Sequence, residues 1–252
     1  MIVLAVTTAL FISTVVAFSG RQATTQLTQS VRDLESQIQD INNDVANGFF
    51  PNGLQCLLNG SGDPTVTNTS ATAGAQVGCT FLGKAAAFGT DNLTTITIVG
   101  RQFAGAVGSA PASTLTEARP TPVPVSVLLD STAYVYGLQP IKIFDMSNDV
   151  TGYASIAFVS QLGAGVGIDN PLTGSRSTLL YGITGSSIND NATSAAGKIN
   201  VGNMVLFSKG ARICLLGGNG KRAEITVGAS GNQASTNVTI GTGAISDVCK
   251  NA

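Results

Sequence analysis

MIVLAVTTALFISTVVAFSGRQATTQLTQSVRDLESQIQDINNDVANGFF, residues 1–50, decides how the rest of the chain is read. Met1 to Phe18 is an apolar run interrupted only by Thr7, Thr8, Ser13 and Thr14, and no charge appears before Arg21. As a helix it would be about 27 Å long, close to a bilayer core of about 30 Å. A signal peptide would carry basic residues before the run and a small-residue cleavage site after it, and neither is present. A soluble core helix would show a polar face, which eighteen residues here do not. The run therefore predicts a membrane anchor.

Beyond Arg21 the pattern changes. Leu27, Val31, Leu34, Ile38, Ile41 and Val45 recur three or four positions apart and form one apolar stripe on a helix, with Arg32, Asp33, Glu35, Asp40 and Asp44 on other faces. The stripe predicts a helix packed on its own domain; a parallel coiled coil would use the same spacing over a longer run. Asn47-Gly48 is a C-terminal cap signal, Phe49 and Phe50 are expected to plug the junction between helix and head, and Pro51 ends the helix. The division expected is residues 1–50 as helix (1–20 and 21–50 as its halves) and 51–252 as a β-rich head.

Composition narrows the chemistry. The chain of 252 residues has no histidine, 11% charged residues and a net charge of −1. Histidine-based catalysis is excluded, and no basic stripe marks a nucleic-acid partner. No cofactor, metal or enzymatic site is expected. Four cysteines fall as the local pairs Cys56/Cys79 and Cys214/Cys249, without CxxC spacing. Two local disulfides are the simplest arrangement for an exported head; two other connectivities, or free thiols in a cytosolic chain, stay open.

The remaining sequence is punctuated β-type sequence. Pro51–Thr80 reads as a loop. Thr80–Leu82, Ala85–Phe88, Asn92–Val99, Val125–Leu129, Ala133–Leu138, Ile141–Asp145, Tyr153–Leu162, Leu179–Ile183 and Met204–Phe207 read as strands. Arg119–Pro124 reads as an extended connector that cannot be a central strand, and Asn189–Gly197 as loop or short helix. The glycine cluster at Gly163–Gly167 opens no helix and lacks a GK[ST] ending, so it reads as a loop. From about residue 210 to 252, Arg212–Leu216 and Arg222–Val227 flank Gly217-Gly218-Asn219-Gly220 as a closing hairpin, Asn237–Ile240 adds a strand, and Cys249 ties the end back. N-x-[ST] sequons occur at Asn59, Asn68, Asn92, Asn191 and Asn237.

The opening Met1-Ile2-Val3-Leu4-Ala5-Val6 resembles type IV pilins and pseudopilins, whose mature chains begin with Phe-Thr-Leu-Ile-Glu-Leu before a Met-Ile-Val-like continuation. In that register six residues, including the family's acidic one, are missing in front, and no residue here matches the acid. The rival register makes Met1 the processed, methylated first residue. Near the other end, Ile213-Cys214-Leu215-Leu216 with Lys221–Val227 looks like the closing hairpin of GspH/FimT-type pseudopilin heads. The resemblance implies an α+β pilin fold: a long helix, hydrophobic then amphipathic, followed by a β-rich head with a disulfide-tied C-terminus.

It also implies a role. Met1, Ile2, Val3, Leu4, Val6, Leu10, Phe11, Ile12, Val15, Val16 and Phe18 would sit in the membrane and then in a filament core. Leu27, Val31, Leu34, Ile38, Ile41, Val45 and Phe49 would pack helix to head, and Ser19-Gly20 would let the helix loosen on assembly. The expected function is a structural subunit of an extracellular type IV pilus-like filament supporting adhesion or twitching motility. Its partners would be copies of itself, the inner membrane before assembly, a prepilin peptidase and the pilus assembly machinery. The alternative is a membrane-anchored minor pseudopilin or adhesin that binds a surface ligand.

Overall fold

The computed structural model describes residues 2–48, 54–68, 78–105, 107–123, 129–160, 162, 178–218, 220–228, 236–241 and 245–252, with side chains from Arg21 onward except those of Leu54, Asn68, Leu129, Asn148, Asp149 and Val150. Phe49, Phe50, Pro51, Val125, the Gly163–Gly167 cluster and the side chains of the run from Met1 to Ser19 lie outside that description.

Helix α1 runs Ile2–Ala46. Gly48, at φ +67°, follows it, and its N–H donates to the Val45 carbonyl at 3.1 Å. A β-carbon would strain that left-handed position, so a glycine closes the helix here. Two strands follow, β1 (Leu54–Leu58) and β2 (Pro64–Asn68), then the long pair β3 (Cys79–Phe88) and β4 (Asn92–Arg101). Next come α2 (Leu115–Ala118), β5 (Thr121–Pro122), β6 (Leu129–Ala133), β7 (Gln139–Asp145), β8 (Asn148–Tyr153) and β9 (Ser155–Ser160). The last part holds β10 (Thr178–Ile183), α3 (Ala192–Gly197), β11 (Met204–Leu206), β12 (Ala211–Leu216), β13 (Arg222–Val227), β14 (Thr236–Ile240) and α4 (Asp247–Asn251).

β1 and β2 form a separate hairpin. The larger sheet has the order β11-β10-β9-β3-β4-β5, with β6 pairing the same edge of β4 further along; the other is β14-β13-β12-β7-β8. Every described pairing is antiparallel. The two sheets curl about the second half of α1, which meets β3, β9 and β10 of one and β13 and β14 of the other.

Strand alternation sorts side chains into layers. Ile156 and Phe158 of β9 and Ile213 and Leu215 of β12 turn toward α1 and form one core with its stripe. Ala157 and Val159 turn to the other face, where Ala118 of α2 and Ala195 and Ala196 of α3 cover the sheet. Cys214 turns away from α1 and meets Phe144, Ile245 and Cys249 under α4.

This corrects the expected fold class. The chain is β-rich with a curled sheet, and the part of α1 whose side chains are described, 21–46, is not apolar. No helix among the described residues is long and apolar enough to cross a membrane. The cause is local: from Arg21 to Ala46 stripe residues return only every three or four positions, and polar or charged residues fill the turns between them. The α+β pilin plan with a hydrophobic helix is therefore replaced by a β-rich domain curled around one amphipathic helix.

Three local readings are also corrected. Residues 54–68, read as loop, form the hairpin β1–β2, because Asn59 closes a turn by accepting from the N–H groups of Ser61 and Asp63 at 2.9 and 2.8 Å. The two short strands around Gly83 are one strand with a bulge between Phe81 and Gly83. Ala133–Leu138, read as a strand, stops at Ala133 and turns through Tyr136 and Gly137, both at positive φ.

Candidate functional site

The face of α1 that enters the domain is the best-built site in the molecule. Leu27, Val31, Leu34, Ile38, Ile41 and Val45 are all buried, at 5% exposure or less. Each contributes roughly 1.5–3 kcal/mol by leaving water. Polar contacts fix the helix along its length. Lys221 donates to the Thr24 hydroxyl near the entry point. Midway, Arg32 pairs with Glu35 at 2.6 Å, Thr236 Oγ1 donates to Glu35 Oε1 at 3.1 Å, and Gln39 Nε2 donates to Thr236 Oγ1 at 2.5 Å. Lys84 Nζ of β3 meets Asp44 Oδ2 at 2.5 Å near the C-terminal end. Glu35, on a face other than the apolar stripe, is buried against β14, where the strand supplies a hydroxyl for its carboxylate.

Two disulfides fasten the domain. Cys56 joins Cys79, linking the β1–β2 hairpin to β3. Cys214 joins Cys249, linking β12 to α4. Around the second bond the polar groups interlock. Glu224 Oε1 accepts from Arg212 Nε at 3.0 Å, and its Oε2 accepts from the backbone N–H and hydroxyl of Ser246 at 2.8 and 2.6 Å. Ser246 is the N-cap of α4. Arg222 donates to the carbonyls of Cys249 and Ala252 at 2.6 and 2.9 Å. Short as it is, α4 is held at both ends by side chains of β13.

Elsewhere the described residues offer little for catalysis. A recess of about 240 Å³ is lined by Ser113, Thr114, Leu115, Val159, Ser160, Leu162, Leu179 and Tyr181, below the usual range of about 300–1,000 Å³ for ligand sites. Thr114 is committed to a capping box with Glu117, and burial raises the Tyr181 phenol above its ordinary value. No carboxylate or base lines the recess. Asp190, Ser194 and Lys198 converge, with Lys198 Nζ 2.6 and 2.8 Å from the two Asp190 oxygens. Partial burial acts to raise the Asp190 carboxyl, but hydrogen bonds from Lys198, the Ser187 N–H and Ser194 outweigh it and hold the group below the ordinary value. The cluster serves the turn and helix α3, whose N-cap is Asn191. Among the described residues no group of three or more His, Cys, Asp or Glu could hold a metal.

The sequons divide similarly. The side chains of Asn59 and Asn191 close a turn and cap a helix, and that of Asn92 donates to Ser131 at 2.6 Å. Asn237 is exposed on β14.

Ser19 and Gly20 are helical, with no break at the expected loosening point. The positions sequence reading missed are the exposed ones: Val135, Tyr136, Val201, Val205 and Leu206 are large apolar side chains left facing water. Their signal was faint, because Val135, Tyr136, Val205 and Leu206 sit in segments read as strands, whose apolar residues look like core, and Val201 stands alone among turn residues. No family model, curated protein or solved structure matches the chain.

Proposed function

We propose that this chain is a structural subunit of an extracellular, type IV pilus-like filament, assembled from copies of itself through the N-terminal part of α1. One observation carries the reading. Among the side chains described, which begin at Arg21, the first buried one is Leu27, and the helix itself begins at Ile2. The preceding 25 residues, about 37 Å at 1.5 Å per residue, lie ahead of the stripe that the domain covers. Their sequence carries no charge until Arg21. A helix that is a spine at one end and uncharged at the other is suited to joining domains through a bundle of such ends. Association there would rest on close packing and on keeping apolar surface from water.

The domain's two disulfides and doubly held C-terminal helix suit a surface exposed to oxidants and proteases. On this reading the inner membrane holds the subunit before a prepilin peptidase and the assembly machinery deliver it to the filament, which supports adhesion or motility.

The test is production of the full chain in a host with a pilus assembly system. Sheared surface fibres composed mainly of this chain, seen by electron microscopy and identified by mass spectrometry, are the expected result. A monodisperse detergent-solubilised monomer with no fibres would overturn the reading and favour the anchored adhesin.

A further inference from the structure

Among the described residues the larger sheet ends in two unpaired edges, and the large apolar side chains that face water gather there. Of the seven such residues among the described ones, Val201, Val205 and Leu206 lie on or beside β11, and Val135 and Tyr136 directly follow β6. We infer that these edges join head to tail, β11 of one copy pairing with β6 of the next. The inference rests on the filament reading and adds the contact between domains.

Backbone direction permits it. β6 is antiparallel to β4, β4 to β3, β3 to β9, β9 to β10 and β10 to β11. Five reversals leave β6 antiparallel to β11. A second copy in the same orientation, set beside the first, therefore presents β11 antiparallel to β6 and continues the alternation. Such a contact uses two different patches, sheet twist turns each copy relative to the last, and repetition gives an open assembly when that rotation does not close into a ring.

The hydrogen-bonding groups are available. Phe207 N–H donates to the Leu180 carbonyl and Thr184 N–H to the Asn203 carbonyl, both at 2.8 Å. By antiparallel alternation Val205 then bonds inward to β10, and Met204 and Leu206 direct their N–H and C=O groups away from the sheet. On the other edge, Tyr134 N–H donates to the Asp91 carbonyl at 2.9 Å. Thr132 and Asp130 therefore face β4, and Ser131 and Ala133 face outward. The side chains from Asp130 to Ala133 are exposed. Among the described residues no strand pairs with the outer side of β6.

Both ends of the contact match. With Met204 and Leu206 set against Ala133 and Ser131, the residues before β11 lie beside those after β6. Val201 then meets Val135 and Tyr136, apolar against apolar. At the other end Lys209, just past β11, lies beside Asp130 near the start of β6. Lys209 and Asp130 are exposed and form no ion pair among the described residues. β11 also carries none of the charges or prolines by which lone edge strands discourage pairing.

The test uses the full chain with three changes. Leu206→Pro removes one outward N–H while leaving the inner ladder intact, because proline is tolerated where the N–H faces solvent. Lys209→Glu and Asp130→Lys are made singly and together. Circular dichroism and thermal melting show whether each variant folds. The expected result is that Leu206→Pro and each single charge change raise the concentration needed for fibre formation by about tenfold, and that the double charge swap restores it. If Leu206→Pro fails to fold, the swap series decides alone. Fibres that form normally in the single charge variants would overturn the edge contact and leave the filament reading standing. Wild-type chains that form no fibres, yet form multimers lost in the single variants and regained in the swap, would keep the edge contact and overturn the filament reading. A wild type that stays monomeric overturns both.

Discussion

Arg212 and Glu224 lie diagonally across the β12–β13 ladder, Nε to Oε1 at 3.0 Å, with only 15% and 8% of their side chains exposed. The second oxygen of Glu224 holds Ser246 at the start of α4. One carboxylate thus balances a largely buried guanidinium and anchors the segment that carries Cys249. Glu224→Gln should weaken the charge-assisted bond to Arg212 and loosen the hold on Ser246, at a cost of about 1–3 kcal/mol. Denaturant unfolding should report that loss. Hydrogen exchange should show weaker protection at Ser246 and Cys249 even with the disulfide intact. Unchanged protection there would mean that the disulfide alone holds α4.

The two disulfides should contribute similarly. Cys56–Cys79 spans 23 residues and Cys214–Cys249 spans 35. In the chain-entropy model these loops correspond to about 3–4 kcal/mol each. Replacing either pair with serines should lower the melting temperature by a comparable amount. Only loss of Cys214–Cys249 should expose α4 to proteolysis, because Cys56–Cys79 fastens a hairpin at the other sheet. Limited proteolysis with mass mapping separates the two variants.

The stripe Leu27–Val45 was legible because helix period and burial agree over five turns, with each of its six members reaching the core. The closing hairpin was legible because its glycine-rich turn separates two alternating strands. The β1–β2 hairpin was not, because its strands are only five residues long and its turn resembles the Asn/Gly/Ser/Thr sequence around it. Nor was the end of β6, since Tyr134, Val135 and Tyr136 have high strand propensity and only tertiary context turns the chain there. Apolar side chains at an edge look in sequence like core. Which of them stay in water depends on strand order, which spacing does not encode.

Asp190 gives a pH test with a defined sign. Its folded-state carboxyl is held below the ordinary value, with hydrogen bonds from Lys198, Ser187 and Ser194 outweighing the opposing effect of partial burial. A depressed carboxyl contributes stability that is present above the unfolded value of about 3.9 and disappears as pH falls through the folded value. Wild type should therefore be more stable than Asp190→Asn at pH 5 and above, and the two should converge as pH falls below about 4. Melting temperatures measured across that range settle the matter; a constant difference down to the lowest pH would assign the effect to packing.

At Gly83 the backbones of β3 and β9 leave no room for a side chain. A β-carbon there would lie 1.9 Å from the Phe158 carbonyl oxygen and 3.0 Å from the Val159 Cα. Both obstacles are backbone, so no rotamer change relieves them, and the strands would have to part. β3 and β9 are neighbours in the middle of the sheet, with α1 on one face and α2 and α3 on the other. Parting them disturbs both cores. Gly83→Ala should cost more than about 4 kcal/mol, outside the common range for point changes. Gly60→Ala is the matched control, since nothing lies within 4 Å of its added carbon, and it should stay within about 0.5 kcal/mol of wild type. Urea midpoints compare the two directly. Equal midpoints would show that the bulge after Phe81 relaxes enough to admit a methyl group, and that the close approach at Gly83 is not what sets the register of β3 on β9.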